Sequence, residues 1–236
     1  MVQAILLDIE GTTTPIDFVH NTLFSYAKEK MSEFVRQNFG EIQTEIEQLK
    51  NEYKNDFTNQ IYGRDFSEDV PETVAEYLRF LVDADRKSTP LKSLQGKIWQ
   101  QGYETGELVS EVFDDVPTAF ERWQSEQKMI AIYSSGSRLA QQLLFKYTNR
   151  GDLTGFIAEY FDTHIGRKGD SESYRRIASM ESFPQVENFL FISDSEAELD
   201  AAREAGMDTL LAIRPGNAPL AESPKQRFIR SFDEIV

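Results

Sequence analysis

The chain reads as an α/β protein, a doubly wound parallel sheet with an inserted helical cap, and three observations predict it. Short apolar runs at 2–7, 129–133, 188–193 and 209–213 have the length and composition of buried strands. From residue 114 onward such runs alternate with amphipathic segments, the pattern of a parallel sheet covered by helices. Some 120 residues separate the first strand from the second, whereas a crossover between parallel strands needs only about a dozen. The expected division is therefore a core of 1–15 and 114–236 and an inserted cap of 16–113.

In chain order, Val2 to Leu7 is an apolar strand ending in Asp8. Leu23, Ala27, Met31 and Phe34 recur at helical spacing, which predicts a helix from Phe18 to Phe39 with Gly40 as its stop. Ile42, Ile46, Leu49 and Tyr53 form one stripe of a second helix, and two more are expected at 69–84 and 90–103. A helix starting at Asp114 leads to strand 129–133; helix 137–147 and a short strand at 160–162 follow. Helix 172–180, strand 188–193, helix 195–205 and strand 209–213 complete the alternation. Residues 215–224 are loop-like, and 228–236 adds a last short element.

The 236 residues are 40% hydrophobic and 28% charged, which supports a globular fold with a sizeable core. Forty acids against 25 bases give a net charge of −15, which argues against nucleic acid as a partner. A small anionic substrate stays compatible, because salt screens charge beyond about 8–10 Å and local groups then decide. The absence of cysteine excludes disulfides, thiolate zinc sites and a cysteine-nucleophile phosphatase. The two histidines, His20 and His164, are expected on a helix face or a loop. No charged-then-apolar leader and no run near 18 apolar residues is present, so no membrane association and a cytoplasmic location are expected.

Chemistry concentrates at the carboxyl ends of the strands, where open α/β sheets bind ligands. Asp8-Ile9-Glu10-Gly11-Thr12-Thr13 delivers two acids there, with Gly11 allowing a sharp turn and close backbone approach. Paired acids suit a Mg²⁺ ion and a carboxylate nucleophile. After the second strand, Ser134-Ser135-Gly136-Ser137 offers hydroxyls and free amides for an anion, while Ser137 also suits a helix cap. Lys168, in the glycine-flanked Gly166-Arg167-Lys168-Gly169, is placed to neutralise a phosphate, and Arg167 is left to the surface. Asp194 ends a further strand and Glu198 follows one helical turn later; the pair reads either as a metal ligand with its orienting acid or as a helix cap.

An acid pair, a serine, a lysine and a final acid, falling in this order on successive strand ends, resemble the haloacid dehalogenase superfamily of phosphatases. Glu10 stands where that pattern usually has a second Asp. The longer string Asp8 to Ile16, with Asp85-Arg86-Lys87, Leu91 to Gly96 and Trp99 in the insertion, is similar to the acireductone synthase family, the enolase-phosphatases of methionine salvage. Tyr133 to Ser137, Phe161-Asp162-Thr163, Ser171 to Arg175 and Arg214 to Ala218 extend the likeness over nearly the whole chain.

The resemblance implies a haloacid dehalogenase-like, Rossmannoid core and a bifunctional activity on a phosphorylated diketone, with a general sugar-phosphate phosphatase as the alternative. It implies one Mg²⁺ per subunit, held by Asp8, Asp194 and Glu10, the last through its backbone carbonyl. Asp8 is the implied nucleophile, Glu10 the acid/base, and Lys168 both catalytic and phosphate-binding together with Ser134 and Ser135; Gly136 and Glu198 are supporting. A monomer is expected. The insertion is expected either to close over the site or to pack aside as an accessory bundle. Gln95, Trp99 or Tyr103 is expected to face the substrate, with Trp99 and Tyr103 as insertion core the alternative.

Overall fold

The computed structural model describes residues 1–218 and 226–235. Strand β1 (Ala4–Leu7) is followed by a π-helical turn (Phe18–Leu23) and by helices α1 (Phe24–Gln37), α2 (Gln43–Thr58), α3 (Pro71–Asp83) and α4 (Thr89–Thr105). Then come α5 (Asp115–Ser125), β2 (Met129–Tyr133), α6 (Arg138–Lys146), β3 (Ile157–Phe161) and α7 (Ser171–Ala178). Strands β4 (Phe189–Ser193), β5 (Asp208–Ala212) and β6 (Phe228–Ile229) follow, with α8 (Glu196–Ala205) between β4 and β5. Part of the expected loop 215–224 lies outside the described residues.

Among the described residues, six strands pair in parallel, in the order β3-β2-β1-β4-β5-β6. The chain leaves β1 to build one side of the sheet, then returns to build the other. β1 is thus the point where the winding reverses, and ligands of such sheets bind just beyond the strand ends there. All four residues of β1 are fully buried, as a central strand with helices on both faces requires. Ala4, Leu6, Ala131, Tyr133, Phe189 and Phe191 point to the face covered by Tyr174 and Ile177 of α7 and Leu199 and Ala202 of α8. Ile5, Leu7, Ile130 and Ile132 alternate to the opposite face and are equally buried.

The third strand starts earlier than the sequence suggests, at Ile157 rather than Tyr160. It is the edge strand beside β2, so Ala158 and Glu159 need not be buried and break the apolar run. The expected first helix opens with the π-helical turn, and regular α-helix begins only at Phe24.

Two compact units result: Met1–His20 with Val109–Val236, and Asn21–Leu108. The sequence placed the boundaries at 15/16 and 113/114. Residues 109–113 go with the first unit because backbone bonds tie them there: Ser110 N–H to Tyr147 O (2.8 Å), Asn149 N–H to Ser110 O (2.7 Å) and Phe113 N–H to Thr13 O (3.0 Å).

Within the second unit, α1, α2, α3 and α4 enclose a core that includes Met31, Val35, Leu49, Tyr77, Leu78 and Leu94. Tyr103 and Gln95 are buried, and Trp99 donates its indole N–H to Leu23 O (2.8 Å) while meeting the Phe24 ring edge-on. Trp99, half-buried, packs against that core. Glu45 is also buried here; burial alone raises its carboxyl pKa, but hydrogen bonds from Lys97 (2.7 Å) and Ser93 (2.8 Å) hold it below the usual range.

In the first unit, Arg214 is a buried clamp. Its guanidinium lies 4.7 Å from the Phe113 ring and 4.5 Å from the Phe232 ring. It donates to Asp115 Oδ2 (2.7 Å), Arg230 O (2.9 Å) and Thr12 O (3.1 Å). Asp115 Oδ2 also accepts from Ser231 Oγ (3.0 Å) and Phe232 N–H (2.5 Å). Removing one partner leaves the other charge buried and unpaired. Asp115→Ala is therefore expected to lower unfolding free energy by about 3–5 kcal/mol in urea titrations. Glu45→Gln is expected to be less stable than the native chain at neutral pH. Because a depressed carboxyl pKa stabilises only the ionised form, that deficit should shrink as pH falls through and below about 4 in pH-dependent thermal melts.

Candidate active site

Three strand ends meet at the winding reversal. Asp8 N–H donates to Ile192 O (3.0 Å) and Ser134 N–H to Phe161 O (3.1 Å), so each residue is the first beyond a ladder that still fixes its backbone. Asp8 then enters a tight turn in which the amides of Thr12, Thr13 and Thr14 all converge on Ile9 O (3.2, 3.0 and 3.0 Å). Gly11 adopts φ +66°, and a Cβ built there would lie 2.4 Å from Asp194 Oδ2. A left-handed backbone and direct contact with a carboxylate both demand glycine at this position. Asn217 Nδ2 donates to Gly11 O (2.9 Å), and Arg214 secures Thr12 from the other side.

Asp8, Glu10, Ser134, Ser135, Lys168, Asp194 and Glu198 line one cavity of ≈ 180 Å³, with Ile16 and His20 completing its wall. Lys168 Nζ lies 2.6 Å from Asp8 Oδ1 and 2.6 Å from Glu198 Oε2. Ser193 Oγ stands between the same acids, 3.2 Å from Asp8 Oδ2 and 2.9 Å from Glu198 Oε2, with one proton to donate to either. Asp8 Oδ1 also accepts from Ile9 N–H (2.7 Å). Exposure grades outward: the side chains of Asp8 and Lys168 are 9% and 11% exposed, while Glu10 and His20 at the mouth reach 39% and 57%.

Electrostatics are dominated by four carboxylates facing one lysine. Burial alone would drive the Lys168 ammonium towards its neutral form, but Asp8 and Glu198 outweigh it and raise its pKa above the ordinary value. Burial and then the Asp8 charge raise the Glu198 and Glu10 carboxyls. Asp194 is pushed up to about 7, by burial first and then by the charges of Asp8 and Glu198. Such an excess of buried negative charge suits a hard divalent cation bound through oxygen. Among the described residues no three Asp, Glu, His or Cys side chains gather as a ready chelate; the carboxylates of Asp8, Glu10, Asp194 and Glu198 are the oxygen donors that line the cavity.

The helix-cap reading of the final acids does not hold. Ser195 opens α8 without a side-chain cap, and Glu198 spends its carboxylate on Lys168 and Ser193. Ser137, by contrast, does cap α6, accepting from Ala140 N–H (3.3 Å). Gly136 is not part of the cavity wall; its N–H donates to Ser134 Oγ (3.2 Å), and Gln141 Nε2 holds its carbonyl (2.8 Å). Arg167 is exposed, and His164 packs its ring nitrogen on Asp162 (2.7 Å), outside the cavity.

Two residues escaped the sequence reading, His20 in the cavity wall and Ser193 behind the acids that line it. His20 sits on a helical turn, as one expected alternative had it, but also lines the cavity, with its Nε2 3.8 Å from Glu10 Oε2. A π-helical turn carries it, and sequence periodicity gives no sign of such a turn. Ser193 was hidden as the last residue of an apolar strand, although a serine immediately before a strand-end acid was the available signal.

The comparisons with known proteins agree with one another. A family model described as haloacid dehalogenase-like hydrolase matches residues 2–206. The enolase-phosphatase E1 of Drosophila pseudoobscura pseudoobscura is 45% identical, over 95% of this chain and 90% of its own. That of Synechococcus elongatus is 44% identical, over 99% and 98%. The crystal structure of the UTR4 protein of Saccharomyces cerevisiae superposes with a TM-score of 0.81 at 33% identity, covering all of both chains. With the strand-end acids, serine and lysine gathered on one cavity and relatives matched from end to end, the chain belongs to the enolase-phosphatase E1 family of the haloacid dehalogenase-like hydrolases.

Proposed function

We propose that the protein is a bifunctional enolase-phosphatase, an acireductone synthase acting in methionine salvage. It converts 2,3-diketo-5-methylthiopentyl-1-phosphate into 1,2-dihydroxy-3-keto-5-methylthiopentene and phosphate. The observation that carries this reading is the single cavity in which a buried carboxylate, an ammonium and a serine hydroxyl face one another beneath a more exposed glutamate. Full-length likeness to enolase-phosphatases supports the choice of substrate.

In the phosphatase half, Asp8 attacks phosphorus and the ester P–O bond breaks, leaving an aspartyl-phosphate. Ser134 and Ser135 hold phosphoryl oxygens, and Lys168 offsets the charge that develops as two anions approach. Glu10 gives its proton to the departing enol oxygen, then takes one from the water that cleaves the aspartyl-phosphate. Such general acid–base work contributes about 10²–10⁴-fold. Mg²⁺, for which Asp8, Asp194 and the Glu10 carbonyl are the proposed ligands, supplies Lewis-acid stabilisation of the phosphoryl charge. Glu198 and Ser193 are the supporting contacts that keep Lys168 and Asp8 apart from solvent and in register.

In the enolase half, a proton leaves C1, the C1–C2 double bond forms and the C2 oxygen gains a proton. We assign the C1 proton to Glu10. Lys168 already donates to two carboxylates, and an ammonium so engaged has no lone pair with which to accept. Enolisation calls for exclusion of water from the cavity, and the chain leaves the first unit directly after His20, a residue of the cavity wall. A cytoplasmic monomer is part of the same reading.

Incubation with the diketo-phosphate should give an ultraviolet-absorbing enol together with phosphate, and a chelator should suppress phosphate release. Phosphate without the enol band would sink the enolase half and leave the sugar-phosphate phosphatase. Asp8→Asn should lose turnover by at least about 10³-fold while circular dichroism and thermal unfolding show an intact fold.

A further inference from the structure

Lys168 is held at both ends, and only one end is explained by the acids it meets. The loop that carries it turns three consecutive carbonyls into the protein, and each finds a hydroxyl from a buried side chain. Tyr133 Oη donates to Gly166 O (3.0 Å), Ser173 Oγ to Arg167 O (2.8 Å) and Tyr174 Oη to Lys168 O (2.7 Å). The two tyrosines are fully buried and Ser173 is 2% exposed. Phenylalanine and alanine would fill the same space with no polar group to satisfy, and a buried hydroxyl is costly unless paired. Here three such hydroxyls are spent on one three-residue stretch.

The same side chains link the other parts of the site. Tyr133 ends β2, so its backbone leads directly into Ser134. Its ring centroid lies 5.9 Å from Lys168 Nζ, within cation–π range. The Tyr174 ring meets Tyr133 edge-on at 5.5 Å and Phe191 at 5.1 Å, and Phe191 lies on β4 just before Ser193 and Asp194. Gly166 closes the arrangement: at φ +144° it leaves room for Ser173, whose Oγ would lie 2.1 Å from a Cβ there.

We propose that Tyr133, Ser173 and Tyr174 are positioning residues for Lys168, a hydroxyl rack that fixes its backbone so that the ammonium meets the phosphoryl group in place. The proposal rests on reading Lys168 as the phosphate-facing cation and is independent of the enolase half. Its physical need arises within the reaction. Once Asp8 carries a phosphoryl group it is no longer a free carboxylate, and the pairing of Lys168 with it weakens. Glu198 and the rack then remain to hold the lysine while the second step proceeds, and a flexible four-carbon side chain on an untethered loop would drift.

Calorimetric titration of the Mg²⁺-supplemented protein with inorganic phosphate tests this without the diketone substrate. Tyr174→Phe and Ser173→Ala should each weaken phosphate binding by roughly three- to tenfold, the worth of one misplaced hydrogen bond. Lys168→Ala should weaken it too, and adding Tyr174→Phe or Ser173→Ala to Lys168→Ala should then change nothing further. Thermal unfolding identifies the variants that are folded; if Tyr174→Phe is not, Ser173→Ala carries the same comparison. Unchanged affinity in the folded single variants overturns the rack. Equal losses with and without Lys168 overturn it as well, because they mark general loosening. Unchanged binding in Lys168→Ala overturns the phosphate-facing role of the lysine itself, a result distinct from failure of the enol assay.

Discussion

Four carboxylates crowd a cavity of ≈ 180 Å³, and a single buried ammonium stands among them. The rest of the site is arranged around that imbalance. Lys168 bridges Asp8 and Glu198 at 2.6 Å each, and together these acids overcome the penalty that burial imposes on the ammonium. The remaining acid excess raises the carboxyls of Glu10, Asp194 and Glu198. A site built this way is incomplete without further positive charge, which is the condition under which a divalent cation and a phosphoryl group reinforce each other.

Geometry is enforced by the backbone more than by side-chain packing. Asp8 and Ser134 are each the first residue past a strand but still hydrogen-bonded to it. The Asp8 turn is closed by three amides on one carbonyl, and Gly11 brings Asp194 against it. Arg214 and Asn217, from the segment after β5, then fix the turn from the far side. Residues about 200 positions apart in sequence thereby share one rigid element, and Asp115 extends it to the start of α5.

Much of this was legible in the sequence because it depends on periodicity and on strand ends. Apolar runs located β1, β2, β4 and β5; the residues following β1, β2 and β4 supplied the acids and serines of the cavity, and a glycine-flanked basic pair supplied its lysine. What escaped depends on three-dimensional neighbours. An edge strand need not be apolar, so β3 was read three residues short. The roles of Glu198 and Ser193 are set by Lys168 and Asp8, far off in the chain, and a helix cap and an ion-pair partner look alike as letters. The rack under Lys168 was least legible of all. A tyrosine hydroxyl in a core position is indistinguishable from packing until the carbonyl it serves is seen.

The interruption of the first unit between His20 and Val109 also bears on how the chain assembles during synthesis. β1 is synthesised well before its partners in the sheet, which begin at Met129 and Phe189. Nearly the whole polypeptide must be made before this central, wholly apolar segment can be paired on both sides. The four-helix insert, whose contacts are all near in sequence by comparison, is complete long before. High separation between pairing partners slows sheet formation, so β1 is the stretch most in need of shielding from aggregation.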